Sequence, residues 1–149
     1  MSNMNIAQAA KHPLALKFRI PGRPIPLARP RFGVNRVFDP QKDRKLITGI
    51  SLRKDMENRP LFEAPLFLFM DFYFQIPSNW SKARKEAHLD KPYISRPDCD
   101  NLIKYVLDAA LGVWYEDDSI VCGILARKLY GEPRTEGVIL PWEEYEKVC

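Results

Sequence analysis

The sequence predicts an α+β fold in which helices pack on a small mixed β-sheet. The strongest strand, over 65–76, is apolar on both faces, so we expect it to be central and covered on both sides. Strands with alternating apolar residues over 14–20 and 120–130 flank it in the chain, and amphipathic helices lie between them. The 149 residues, 46% of them hydrophobic, suit a single domain, which we expect to span 13–149.

The first part of the chain is divided by prolines. Residues 1–12 are small and polar, and we expect a disordered or frayed terminus. Five prolines between 21 and 40 forbid a regular helix and indicate an extended loop. Within that loop, Gly33–Arg36 can turn a small hairpin with strands over 31–32 and 37–38. A basic helix is predicted over 41–58.

The second part alternates helices with short strands. A basic helix is predicted over 78–89, capped by Ser78 or Asn79. A second helix over 101–111 has Asp100 as its predicted N-cap and Gly112 as its stop. A short strand over 138–140 and an acidic helix over 142–148 complete the chain.

The charge distribution favours a polyanionic partner. The formal net charge is +4, with basic residues concentrated over 19–54 and 82–96 and acidic residues in the central stretch and the C-terminal tail. Three widely spaced cysteines (Cys99, Cys122 and Cys149) form no zinc motif or disulfide framework and indicate a reducing cytoplasm. We expect no signal peptide and no membrane span.

Arginines concentrate in the proline-rich loop and next to the acidic stretch. The guanidinium group matches phosphate geometry, so an extended loop carrying several of them can follow a nucleic-acid backbone. A solvated loop is the alternative. The candidates for DNA contact are Arg23, Arg29, Arg31, Arg36 and Arg96.

A pair of carboxylates marks the most informative stretch, 95–118. Asp98 and Asp100 are one residue apart at the start of the helix, so in an extended segment both side chains leave on one side. A second pair, Asp117 and Asp118, comes just before a strand. Helix capping and turn formation explain each pair separately, but neither explains Lys104 on the same helix.

The functional interpretation of these acids is a divalent-metal site. Clustered Asp oxygens suit a hard cation that keeps waters, which means Mg²⁺ or Mn²⁺ rather than zinc. Lys104 would then position a scissile phosphate or neutralise charge in the transition state. Asp71, in the apolar strand, is either a further ligand or the partner of an arginine, and the latter is favoured.

Three segments carry a family resemblance: RPDCDNLIKYVLDAALG at 96–112, YEDDSIV at 115–121 and ARPRF at 28–32. With these segments the chain resembles the RusA family of Holliday junction resolvases, which are often prophage-encoded. The resemblance implies a symmetric homodimer with Mg²⁺-dependent endonuclease activity on four-way DNA junctions, in recombination and repair. A two-fold symmetric enzyme fits a substrate that must be cut in two opposed strands.

The resemblance also assigns residues. It places the family's metal-binding aspartates at Asp98, Asp100 and Asp118 and its catalytic lysine at Lys104, with Asp117 as a further metal candidate. Asp108 matches a family position as well. Two residues depart from the family pattern: Leu27 where the family commonly has Lys, and Ile120 where it commonly has Gln.

Two other functions compete with a resolvase. One is a non-catalytic DNA-binding module in which the aspartates only cap and turn. The other is a metal enzyme acting on nucleotides or sugar phosphates, but the chain has no glycine-rich phosphate loop.

Overall fold

A computed structural model describes residues 4–148 and confirms a single α+β domain. Its main sheet has four strands in the order β1-β6-β4-β5, and a separate hairpin pairs β2 with β3. The strands are β1 (Leu16–Pro21), β2 (Arg31–Gly33), β3 (Arg36–Phe38), β4 (Leu66–Phe74), β5 (Val121–Tyr130) and β6 (Arg134–Pro141). The α-helices are α1 (Ile6–Ala10), α2 (Lys42–Met56), α3 (Lys82–His88), α4 (Cys99–Ala109) and α5 (Trp142–Val148).

Strand β4 is the centre of the fold, as its sequence predicts. It runs antiparallel to β6 and parallel to β5, and all nine of its residues are buried. Leu68, Met70 and Phe72 belong to the larger core, which α2 and α4 complete. Phe67 and Phe69, on the opposite face, pack with residues of α1 and α5. Two covered faces explain why the alternation along β4 is almost absent.

The described part of the N-terminal segment, 4–12, contains a helix where the sequence predicted fraying. Asn5 accepts a hydrogen bond from the Gln8 backbone at 2.9 Å, and the Gln8 side chain accepts one from the Asn5 backbone at 3.1 Å. This capping box starts α1, and Ala9 is fully buried against the sheet. The prediction for 4–12 is therefore wrong, because a capped helix with one apolar contact face is stable there; residues 1–3 lie outside the described chain.

Other boundaries shift by a few residues. The cap of α3 is Ser81, whose hydroxyl accepts a hydrogen bond from the Arg84 backbone at 3.2 Å, rather than Ser78 or Asn79. Strand β6 is much longer than the predicted 138–140, because it pairs with both β1 and β4 and so is held along its whole length.

The parallel pairing of β4 with β5 determines where α4 lies. Parallel neighbours require a crossover connection, and here the crossover contains α3 and α4. Leu102 and Val106 bury one side of α4 in the larger core. The loop after β1 then crosses the start of α4, where the Leu27 backbone N–H donates to the Asn101 carbonyl at 2.9 Å.

Candidate metal and nucleic-acid site

The start of α4 presents two exposed carboxylates. Asp98, not Asp100 as predicted, is the N-cap: its backbone is extended (φ −72°, ψ 145°), and its side chain makes no capping hydrogen bond. Asp100 lies in the first helical turn. The helix begins at Cys99, two residues earlier than predicted, directly after the extended backbone of Asp98. Both carboxylates face solvent at the positive end of the helix dipole.

Two aspartates on the exposed side of α4 pair with different lysines. Lys104 Nζ lies 4.0 Å from Asp100 Oδ2, and the two side chains are 61% and 69% exposed. Asp108, one turn further on, instead pairs with Lys45 of α2 at 3.4 Å, and Lys45 also contacts Asp39 at 2.6 Å. Burial disfavours the charge on Lys45, but the bond to Asp39 and the attraction of Asp108 outweigh it and raise the Lys45 pKa. Lys104 is thus the more accessible lysine at the site.

A cleft of about 530 Å³ opens beside Asp98. Its lining combines the arginine-rich loop with the start of α4: Arg23, Pro26, Leu27, Arg96, Pro97, Asp98 and Asn101. The structure therefore brings Arg23 and Arg96 together with Asp98 around one cleft. Arg31 and Arg36 lie on the separate hairpin, and Arg29 is exposed just before it.

Gln41 fixes the loop that lines this cleft. Its side chain accepts a hydrogen bond from the Ala28 backbone at 2.8 Å and donates one to the Pro26 carbonyl at 2.8 Å. The residue is 8% exposed, so both bonds are shielded from water. Sequence analysis missed this role, since Gln41 was assigned only to the helix.

Lys128 supports the other side of the cleft. Its ammonium donates to the carbonyls of Ser95 at 2.6 Å and Pro97 at 2.8 Å, and it lies 5.5 Å from the centre of the Tyr93 ring. These bonds fasten the segment that ends at Asp98. Sequence analysis missed this residue too, although a signal was present: Lys128 continues the apolar alternation of Ile124 and Ala126 with a charge.

The second acidic pair lies after α4 in the chain. Asp117 caps a 3-10 helix over Asp118–Ile120, and its Oδ1 accepts the Ser119 backbone N–H at 2.8 Å, which lowers the Asp117 pKa. Asp118 is exposed. Between residues 4 and 148, no three His, Cys, Asp or Glu side chains are grouped closely enough to hold one metal ion. The structure thus places Asp98 with Asp100 but does not bring the later pair into one group with them.

Asp71 has a structural partner. Both of its oxygens accept hydrogen bonds from Arg127, at 2.7 Å and 2.6 Å, and its side chain is only 2% exposed. Strand register places the two residues directly opposite each other on β4 and β5. The ion-pair interpretation of Asp71 therefore holds, and this carboxylate is occupied away from α4.

The residues at the start of α4 fit a magnesium ion. Mg²⁺ keeps several waters and is commonly bound through one or two carboxylates together with substrate phosphates. Asp98 and Asp100 supply exposed carboxylates of that kind, and neither is consumed by capping. Zinc sites are built mainly from Cys and His ligands, and among the described residues Cys99 belongs to no group of three side chains that could hold a metal.

Comparison with known proteins identifies the family. The sequence model of the endodeoxyribonuclease RusA family matches residues 21–139, which include the arginine-rich loop, α4, strands β4 and β5 and most of β6. The chain belongs to the RusA family. This confirms the resemblance inferred from the three segments at 28–32, 96–112 and 115–121.

The RusA family consists of endodeoxyribonucleases, so the chain is a nuclease with DNA as its class of substrate. It is also 30% identical over 136 residues to the uncharacterized protein YqaN of Bacillus subtilis strain 168, covering 83% of this chain and 94% of that protein. Within 4–148, none of the helices is long and apolar enough to cross a membrane.

Proposed function

We propose that this RusA-family nuclease resolves Holliday junctions by paired, symmetric phosphodiester cleavage that depends on Mg²⁺, with Mn²⁺ as a substitute. The observation that carries the proposal is the start of α4. There Asp98, Asp100 and Lys104 are all exposed, beside a cleft that Arg23 and Arg96 line. A hard cation, a point charge and two guanidinium groups are what a phosphodiester needs around it.

Each side chain has a distinct role in this proposal. Asp98 and Asp100 would hold the ion; the family pattern assigns Asp118 and Asp117 to the same metal site, although the described residues do not group the two pairs together. When bound there, such an ion would supply Lewis-acid stabilisation of the charge on the scissile phosphate. Lys104 binds a non-bridging oxygen of that phosphate and stabilises the charge that develops on it. Arg23, Arg96, Arg29, Arg31 and Arg36 bind the flanking phosphates.

The proposal includes a symmetric homodimer acting in the cytoplasm, in DNA recombination and repair, with a prophage origin. A four-way junction is nearly two-fold symmetric and needs one cut in each of two opposed strands, which two equivalent sites supply. Trp114 is fully buried against Phe18, so this large apolar side chain is not available for a contact between subunits. The interface therefore uses other residues.

The test compares a synthetic four-way junction with a linear duplex of equal length, each with Mg²⁺ or with chelator. We expect paired symmetric nicks in the junction only, and only with the metal. Nicks of equal yield in the linear duplex would contradict junction specificity. Binding of the junction without cleavage in either Mg²⁺ or Mn²⁺ would favour the non-catalytic DNA-binding module.

A matched pair of variants tests the site assignment. Asp100 and Asp43 each lie in the first turn of a helix, α4 and α2 respectively. If Asp100 only favoured the helix dipole, Asp100→Asn and Asp43→Asn would behave alike. We expect Asp100→Asn to lose cleavage by at least 100-fold while keeping junction binding, and Asp43→Asn to cleave at the wild-type rate. Equal cleavage by the two variants would contradict the assignment.

A further inference from the structure

The hairpin of β2 and β3 stands apart from the rest of the fold. It forms a two-stranded sheet of its own and joins no strand of the main sheet. Three of its apolar side chains are strongly exposed: Phe32 at 84%, Val34 at 91% and Val37 at 60%. A two-stranded hairpin is only marginally stable by itself, so we expect these exposed side chains to pack against a binding partner.

The two faces of the hairpin differ in chemistry. Phe32 lies directly opposite Val37 in the register, and this pair forms one face. The other face contains Arg31 opposite Phe38 and Gly33 opposite Arg36, and the Arg36 guanidinium lies 5.8 Å from the centre of the Phe38 ring. One face is therefore apolar and exposed, and the other is cationic.

The tip of the hairpin is apolar as well. Val34 and Asn35 form the two-residue turn. Asn35 has φ 61°, a left-handed conformation that Asn tolerates, so its choice follows from turn geometry. Turn geometry does not require a valine at position 34, and Val34 is the most exposed apolar side chain of the hairpin. A hydrophobic tip is thus added to an otherwise ordinary turn.

The base of the hairpin is fixed next to the metal-binding end of α4. Gln41 follows the hairpin in the chain, yet its side chain bonds to Pro26 and Ala28, which precede it. Gln41 therefore holds the two ends of the hairpin together. The loop to which it bonds is attached in turn to α4, through the hydrogen bond from Leu27 to Asn101. The tip extends outward while the base keeps its place beside the cleft.

We propose that this hairpin is a branch-point wedge, which inserts Phe32 and Val34 against unstacked bases where the arms of the DNA meet. Arg31 and Arg36 contact the neighbouring phosphates from the opposite face. Apolar side chains of this kind enter unstacked base steps, and aromatic rings stack on bases of any sequence. The inference rests on the proposed function and gives it a means of recognising branched DNA.

A second copy of the chain is a poorer occupant for the apolar face. A fully covered Phe buries about 150–250 Å², and the two valines add less each. The sum falls well short of the roughly 800 Å² per partner that a stable interface buries. The cationic opposite face and the arginine-lined cleft favour a polyanion.

The test uses a four-way junction with 2-aminopurine at the branch point and another with it in the middle of an arm. Ca²⁺ replaces Mg²⁺, and gel analysis verifies that the DNA stays uncut. We expect protein binding to change the fluorescence at least twofold at the branch point and not in the arm. Phe32→Ala should abolish this change and weaken junction binding about tenfold, with duplex binding altered less than twofold.

Two other variants separate the wedge from general effects. Arg31→Ala should weaken junction and duplex binding by similar factors, because a phosphate contact carries no branch preference. Ile47→Ala, which truncates an equally exposed apolar side chain on α2 (68%), should change neither. Circular dichroism checks the fold of each variant.

Distinct results overturn the proposal. The wedge is wrong if the wild type binds the junction without a branch-point signal, or if Phe32→Ala keeps that signal. It is also wrong if sedimentation shows that Phe32→Ala converts a dimer into monomers, because the apolar face would then be a contact between copies. A wild-type protein that binds no DNA in any form would overturn the proposed function itself.

Discussion

Removal of the Lys128 ammonium should impair cleavage far more than DNA binding. In Lys128→Met, the carbonyls of Ser95 and Pro97 lose hydrogen bonds of 2.6 Å and 2.8 Å. A charge-assisted bond contributes about 1.5–3 kcal/mol when buried. Lys128 is half-buried, so water replaces part of both bonds, and we expect a loss of about 1–3 kcal/mol in the free energy of unfolding.

The kinetic effect follows from the place of Asp98. This residue directly follows Pro97, so a released segment displaces the carboxylate that would hold the metal. A displacement of about 1 Å at a reacting centre costs on the order of 100-fold in rate. We therefore expect single-turnover cleavage of a four-way junction to fall about 10- to 100-fold. Half-saturation of the cleavage rate should need more Mg²⁺. Junction affinity in Ca²⁺ should change less than about threefold, because the substitution removes only a single positive charge.

Two controls distinguish position from charge. Lys11→Met makes the same change after α1, which packs on the opposite face of the sheet from α4, and should leave the rate unchanged. Lys128→Arg keeps the charge on a planar group that does not match the ammonium between two carbonyls. Cleavage by Lys128→Met within threefold of wild type, or full activity of Lys128→Arg, would refute the positioning role.

Three further predictions concern contacts around the site. Arg127→Met leaves the buried Asp71 carboxylate unpaired and should cost about 3 kcal/mol in urea unfolding, with most of it recovered on adding Asp71→Asn; a loss below 1 kcal/mol would contradict this. Gln41→Ala should raise the KM for junction DNA about tenfold with kcat retained, because it frees the loop that lines the cleft; a fall in kcat alone would count against it. The Lys45 ammonium lowers the Asp39 pKa below its usual 3.8, so this pair stabilises the fold above that pH and is lost as the pH falls through the lowered value. Asp39→Asn should therefore flatten the fall in unfolding midpoint below pH 4, and an unchanged slope would argue against the pair.

The elements that sequence predicts well are those with a local signature. The doubly apolar pattern of β4, the helix after Asp98 and the turn at Asn35 all depend on neighbouring residues. The helix at Ile6–Ala10 was missed although the signal was local, because Asn5 and Gln8 have the spacing of a capping box.

The contacts that escape sequence analysis join residues far apart in the chain. Arg127 meets Asp71 across 56 positions, and Lys128 meets Pro97 across 31. No local pattern identifies the acceptor that each of these cations meets, and the acceptors of Lys128 are carbonyls, which every residue has. The N-cap of α4 was assigned to the wrong aspartate for a similar reason. Both Asp98 and Asp100 suit an N-cap, and only the backbone conformation distinguishes them.

The strand order has a consequence for when the protein becomes able to cut DNA during its synthesis. The last strand, β6, lies between β1 and β4, so the sheet cannot be completed until about residue 141 has been made. An incomplete chain that already contains the acidic start of α4 still leaves β1 without its neighbour and β4 open on one edge. Ribosome-bound or truncated products should therefore be inert toward the DNA of the cell, with nuclease activity reserved for the finished chain.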